Sequence, residues 1–422
     1  MPAGPASGWM RGGAWALASL GLALGMAAVR MVLVARLIGA AQMGTAGVAL
    51  LVLTTLEALT SLGTEVALVT RRGRVEDDLD PAFTLELLRG AALSAVALAV
   101  APLAAQLLST PGATPLIRVL ALLPLLRGLA NPAAALLVRG AEFRRLFWWG
   151  VPEAVVGLVV AVAVAVLRRD AWALVASALA MQTVGTGLSY AMVRYRPRLR
   201  LGGRGARRLL HYGGALNRTR ILTFLSLNLD NMLVGRFLGP TALGLYQVAF
   251  RVAEIPAVTI TRAAARVALP MFGPLRGSPR ALAGRYLTTV AAVCTAGCVF
   301  AALALLLGEP GVRWMLGPEW TRMVPALQLL ALAMVFRGIM QISDQLFNAL
   351  SRPGLSLPAQ GVRLAVLSVA LYPLLRWDGL RGVATAVLLA HAGGALVAAG
   401  GAFVLLRGPA RLRLPGGGAA AE

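Results

Sequence analysis

Charged and amide side chains stand inside long apolar runs of this chain, and their spacing suits anion chemistry. Arg251, Arg262 and Arg266 fall within about 60° of one another on a helix, over about 22 Å. Such a row presents guanidinium forks, which match phosphate oxygens in pairs. Glu254 follows Arg251 by three residues and is placed to pair with it. Upstream, Asn217, Arg220, Asn228 and Asn231 share one helical stripe, at about 100° per residue. Thr219, Thr223, Ser226 and Asp230 form a second stripe, nearly opposite. One stripe then meets water and the other meets neighbouring helices. The first half offers Glu57 and Glu65, eight residues apart and about 80° around a helix, so that both could line one broad face. Arg30 stands near the outer end of the first apolar run; it either snorkels to headgroups or serves as an outer contact. Arg337, Gln341, Asp344 and Asn348 fall on one line and read as a polar seam between helices, with Gln341 placed to bridge Arg337 and Asp344.

Other chemistries are poorly served. His211 and His391 have no acidic or cysteine neighbours that would complete a metal site. Cys294 and Cys298 stand four apart in an apolar run and read as packing residues. No cofactor is expected.

These groups need elements that hold them at membrane depth. The chain has 422 residues, 58% hydrophobic and only 14% charged, where soluble proteins carry about 25% charged residues. That balance places it in a bilayer. A mid-membrane charge is costly, so each such group faces protein or water and marks a pathway. The net charge is +23 and all 40 basic residues are arginine. Nucleic acid is not the expected partner, because the arginines fall mainly in short loops between apolar segments. About 20 apolar residues span a bilayer, and twelve segments qualify. They are 12–35, 45–69, 82–107, 116–138, 147–167 and 171–193, then 211–235, 245–269, 286–307, 321–350, 357–375 and 380–406. With the N-terminus inside, the inner segments carry 21 arginines and the outer ones seven, so both termini are expected to be cytoplasmic. The run after Arg11 is long enough to span, so no cleavable signal peptide is expected. Gly21 and Gly25 predict a close helix approach.

The chain repeats itself. Arg36-Leu-Ile-Gly39, Gly44 and Val48-Ala49 match Arg236-Phe-Leu-Gly239, Gly244 and Val248-Ala249, each at an offset of 200 residues. The expected fold is therefore an all-α polytopic membrane protein of two six-helix lobes, residues 1–195 and 211–422, joined by a basic linker over 196–210. That linker is expected to rest on anionic lipid.

Asp230-Asn231-Met-Leu-Val-Gly-Arg236-Phe-Leu-Gly-Pro240, followed by Leu243-Gly-Leu-Tyr246, resembles the second-half signature of Wzx-type polysaccharide flippases, closest to their colanic-acid-exporter-like branch. Arg139-Gly-Ala-Glu-Phe-Arg-Arg145 and Leu316-Gly-Pro-Glu-Trp320 resemble that family's inner and outer loops, in the right order. Ala40 departs from the pattern where the second copy has Pro240. The family lies in the superfamily of multidrug, oligosaccharidyl-lipid and polysaccharide exporters. The resemblance implies a cavity lined by the first, second, seventh and eighth spans. It implies a substrate of glycan on polyprenyl diphosphate, flipped across the cytoplasmic membrane by alternating access. It also implies a polysaccharide polymerase and chain-length proteins as candidate partners, and a transporter rather than an enzyme. Arg30, Arg220, Arg251 and Arg262, with Asn217, Asn228 and Asn231, are then the expected substrate contacts. Glu57, Glu65, Asp230 and Glu254 are the expected salt-bridge or coupling acids. Two rivals stand: a small-cation or drug exporter of the same superfamily, and a membrane glycan polymerase or glycosyltransferase.

Overall fold

The computed structural model describes residues 5–70, 75–200, 204–272 and 278–407; within these, the side chains of 5–12, 204–223, 258, 262–271, 279 and 353 lie outside the description. Every regular element described is helical: α1 (Pro5–Thr60), α2 (Thr64–Thr70), α3 (Glu76–Leu107), α4 (Thr114–Leu120), α5 (Leu122–Gly128), α6 (Ala135–Arg139), α7 (Phe143–Arg168), α8 (Trp172–Met192), α9 (Arg204–Phe272), α10 (Pro279–Met315), α11 (Val324–Ala349) and α12 (Leu357–Arg407). Seven helices among the described residues are long and apolar enough to cross a membrane, or eight if the bent stretch from Pro111 to Arg139 is one span. Backbone polar groups in hydrocarbon need internal partners, and helices supply them. The chain is a multi-pass membrane protein.

Twelve separate spans are expected from hydropathy, yet three long helices each merge two pieces. Their breaks lie at Gly39 in α1, Gly239 in α9 and Asp378–Gly379 in α12. The loop expected around residues 36–44 is thus not a loop: α1 continues through it with one non-helical residue. Gly39 has φ 77° and ψ 169°; Gly239 has φ 80° and ψ −179°. Side chains are excluded from that region, so only glycine breaks the helix there cheaply. The matching sequence copies carry the same backbone break.

The chain divides into two compact units, Met1–Gly244 and Leu245–Glu422. The division falls inside α9, not in the basic linker. In the first unit, small residues let helices approach closely. A Cβ on Gly44 would overlap the Pro240 carbonyl oxygen, and one on Gly244 would overlap that of Ala40. The contact is reciprocal. Each glycine faces the carbonyl four residues before the other glycine. α3 and α5 repeat the device: a Cβ on Gly128 would lie 2.6 Å from the Glu86 carbonyl oxygen, and one on Gly90 would overlap that of Pro124. Such crossings trade side-chain bulk for backbone contact. Gly21 and Gly25 are a correction. Nothing lies within 4 Å of a Cβ built on either, so no described helix packs there.

The second unit has larger apolar side chains at its centre. Phe272, Leu282, Tyr286, Ile342, Leu346 and Phe347 form one cluster. Elsewhere in this unit, Gly317 (φ 109°) turns the chain into a 3₁₀ segment, Pro318–Met323, which buries Trp320 completely. This gives the Leu316-Gly-Pro-Glu-Trp320 motif a structural role: glycine supplies the turn and tryptophan fills the space. Trp320→Ala is expected to cost about 3–5 kcal/mol, read as a lowered thermal unfolding temperature in detergent. An unchanged temperature would refute that role.

Candidate functional site

In the first unit, a cavity of about 710 Å³ opens among α1, α2, α3, α5, α7 and α8. That volume lies within the roughly 300–1,000 Å³ of small-ligand sites. Its titratable lining is Glu57, Glu65, Glu86, Glu153, Arg89 and Arg127. Carboxylates therefore outnumber guanidinium groups by two.

Each arginine is engaged. Arg127 on α5 pairs with Glu57 on α1 and donates from Nε to Gln182 Oε1 on α8 at 3.1 Å. Arg89 pairs with Glu86 one turn earlier at 2.7 Å, and Thr64 Oγ1 donates to Glu86. Glu153 on α7 packs over Gly185 of α8, within electrostatic reach of Arg127. Gly185 leaves the room that the carboxyl fills. Glu57 Oε1 is buried without a hydrogen-bond partner among the described residues. A carboxylate oxygen left without a donor is open to a cation.

Glu57 and Glu65 do face one space, but not as one helix presents them. α1 ends at Thr60 and α2 begins at Thr64, just after Gly63 (φ 63°), so the two acids reach the same cavity from different helices. The helical angle expected between them does not apply. Replacing Arg127 is informative here. Arg127→Ala is expected to lower the thermal unfolding temperature, and Glu57→Gln added to it is expected to restore part of the loss. Contacting charges couple by about 0.5–3 kcal/mol, and the 47% exposure of Arg127 places this pair toward the low end. Strict additivity in a double-mutant cycle would contradict the pairing.

The second unit carries opposite chemistry. Glu254 bridges two arginines: Oε2 to Arg251 at 3.2 Å and Oε1 to Arg337 of α11 at 3.0 Å. Glu254 and Arg337 side chains are each 19% exposed, whereas Arg251 is 68% exposed. The inner pair thus fixes the carboxylate, and the outer guanidinium projects outward with donors to spare. The local sum is one positive charge. Arg337 departs from the expected α11 seam, because it pairs with Glu254 rather than through Gln341.

Other expected residues scatter. Arg30 sits between α7 and α8, donating to Ser177 Oγ at 3.2 Å beside Met181 and Gly157. It does not line the cavity. Asp230 is buried and accepts from the Asn231 amide at 2.8 Å. Asn228 donates back to the Phe224 carbonyl at 3.0 Å. Buried Ser226 and Asp230, with half-buried Asn228 and Asn231, separate the two stripes of that helix. The side chains of Asn217, Arg220 and Arg262 lie outside the described residues. His391 is buried against the Val387 carbonyl, as a core histidine. No metal-binding group of three occurs among the described residues. Glu153, Glu86 and Gln182 join the site from the structure alone. The depth rule that flags Glu57 applies equally to Glu153, six residues into a predicted span.

This helical fold is that of the MOP-superfamily transporters. The chain superposes on a multidrug-resistance MATE family transporter with a TM-score of 0.74, 15% identity and coverage of 94% of this chain and 99% of that one. It superposes on the lipid II flippase MurJ at 0.73, with 14% identity over 92% and 86%. Residues 33–325 match the model of the polysaccharide biosynthesis protein family, and the chain belongs to that family. It is 28% identical to the succinoglycan biosynthesis transport protein ExoT of Rhizobium meliloti, over 76% of this chain and 65% of that protein. It is also similar to the lipopolysaccharide biosynthesis protein WzxC of Escherichia coli, 23% identical over 82% and 70%. The teichuronic acid biosynthesis protein TuaB of Bacillus subtilis matches at 23% over 76% and 67%. The chain thus spans about two thirds of the length of these relatives.

Proposed function

We propose that the protein translocates a polyprenyl-diphosphate-linked oligosaccharide across the cytoplasmic membrane, by alternating access, for surface polysaccharide synthesis. Family membership supports the pathway. The observation that carries the substrate is Arg251: an exposed guanidinium inside a predicted span, held by a carboxylate that Arg337 already neutralises. An arginine fork anchored by a carboxylate, with donors left over, is matched to a diphosphate. Arg220 and Arg262 are proposed to extend this surface, with Asn217, Asn228 and Asn231 offering hydrogen bonds to sugar hydroxyls. Twelve spans follow if the bent stretch from Pro111 to Arg139 is one span, α8 crosses as well, and each of the three broken helices crosses twice. Both termini are then cytoplasmic.

The acid-rich cavity of the first unit supports a second element of this reading. Glu57, Glu65 and Glu153 are proposed to take a coupling cation or proton there. The same surplus of acid is what would favour a small-cation exporter, so the two readings need separation. Vesicles reconstituted with the protein should move a fluorescent polyprenyl-diphosphate sugar from one leaflet to the other, and should neither expel a cationic dye nor lengthen the glycan. Dye expulsion without lipid movement would replace this reading with the exporter, and glycan elongation would replace it with the polymerase.

A further inference from the structure

The stretch between α8 and α9 is not a loose tether where it is described. Residues 193–200 run extended and alternate: Val193, Tyr195 and Pro197 are half-buried, while Arg194, Arg196, Arg198 and Arg200 face outward. Val193 and Tyr195 pack on the cluster of Leu68, Val75, Leu79 and Ala82.

Hydrogen bonds fix the register. Asn131 Nδ2 donates to the Tyr195 carbonyl at 2.8 Å. The Arg198 amide donates to Asp80 Oδ1 at 2.9 Å, and the Arg200 amide donates to Thr84 Oγ1 at 2.8 Å. The geometry explains why these pairs match. Two residues of extended chain advance about 6.6 Å, and four residues of helix advance about 6 Å. The strand therefore runs along the first turns of α3. Tyr195 Oη donates to Asp80 Oδ1 as well. Burial and this carboxylate push the phenol up to about 12, so it stays a donor.

The four arginines differ in duty. Arg196 folds back, donating to the Tyr190 and Val193 carbonyls at 3.1 and 3.2 Å, and so caps α8. Arg194, Arg198 and Arg200 form no ion pair among the described residues. Leu199, between the last two, is 70% exposed, and Leu88, one turn past Thr84 on α3, is 50% exposed. Free guanidinium groups flanking bare leucine fit the boundary of a bilayer, where phosphate meets acyl chain. A soluble acidic partner would give the leucine nothing.

We propose that this strand is a binding site for anionic phospholipid headgroups on the inner leaflet, with Arg194, Arg198 and Arg200 as the phosphate ligands. The α3 pair Asp80 and Thr84 are positioning residues that hold the comb at headgroup height. The site is independent of the transported substrate.

The test compares wild type with Arg194→Gln/Arg198→Gln/Arg200→Gln in nanodiscs of mixed phosphatidylglycerol and phosphatidylcholine. Retained lipid is counted by native mass spectrometry. Each arginine is expected to supply about a fivefold preference for the anionic lipid, so the triple variant should lose about a hundredfold. A triple lysine variant should keep most of the preference. Asp80→Ala/Thr84→Val should weaken it with every arginine present, and this variant decides if the glutamine variant fails to fold. Arg168→Gln/Arg169→Gln, away from the strand, should leave it intact. Wild-type preference in both the glutamine and the Asp80/Thr84 variants would overturn the proposal. So would an equal loss in the control, or displacement of the lipid by inorganic pyrophosphate, which would mark a soluble-phosphate site instead.

Discussion

Gly44→Ala is expected to abolish recovery of folded protein. The added methyl would occupy the position of the Pro240 carbonyl oxygen and crowd the Gly244 nitrogen. Backbone, unlike a side-chain tip, has no rotamer into which it can retreat. Relief requires the two helical pieces to separate along the whole crossing, which strips contacts from neighbours on both sides. Val48 and Ala49 lie one turn further on and are fully buried. The expected cost exceeds about 4–5 kcal/mol, at the extreme of single substitutions. Gly244→Ala should behave alike, because Ala40 presents its carbonyl in the same way. Gly21→Ala is the control and should change stability by no more than about 0.5 kcal/mol. The readout is the yield of monodisperse protein after detergent extraction, followed by its thermal unfolding. Normal yield from Gly44→Ala would mean the reciprocal crossing is not a feature of the working fold.

Arg251→Ala has the next largest expected effect, and on transport rather than folding. Glu254 keeps Arg337 at 3.0 Å when Arg251 is removed, so no buried charge is orphaned. Stability should change little. What disappears is an outward guanidinium. Hydrogen bonds to charged groups contribute about 1.5–3 kcal/mol, which corresponds to about a 10–150-fold loss of transport efficiency. Arg251→Lys should fall between, since lysine keeps the charge and loses the planar fork. Glu254→Ala should do something different: it strands Arg337 and lowers the unfolding temperature. Initial rates in vesicles, set beside unfolding temperatures, separate the two behaviours. A folded Arg251→Ala variant with wild-type rate would remove this arginine from the mechanism.

Much of this is legible in the sequence. Apolar runs announce the spans, because hydrocarbon allows few other backbones. The offset of 200 residues announces paired breaks, and glycine at 39 and 239 is the residue that the observed φ requires. Pairing over sequence distance is not legible. Glu57 is flagged by depth alone; its partner Arg127 stands 70 residues away on α5, and tertiary packing brings the two together. The pair Gly21 and Gly25 fits a packing motif but meets no described neighbour, because a small-residue pattern permits an approach without supplying the second helix. The break at residues 61–63 is hidden by hydropathy that continues across it. Arg251 and Glu254 are placed by helical spacing, whereas Arg337 joins them through tertiary structure.

The central claim is that the Arg251 guanidinium reads a diphosphate. Wild type and Arg251→Ala are compared in vesicles with two fluorescent polyprenyl sugars, one joined through diphosphate and one through monophosphate. Wild type should move the diphosphate form about tenfold faster or more, matching the loss of one charged hydrogen bond, and Arg251→Ala should treat the two forms nearly alike. A wild-type preference that survives intact in the variant would contradict the account.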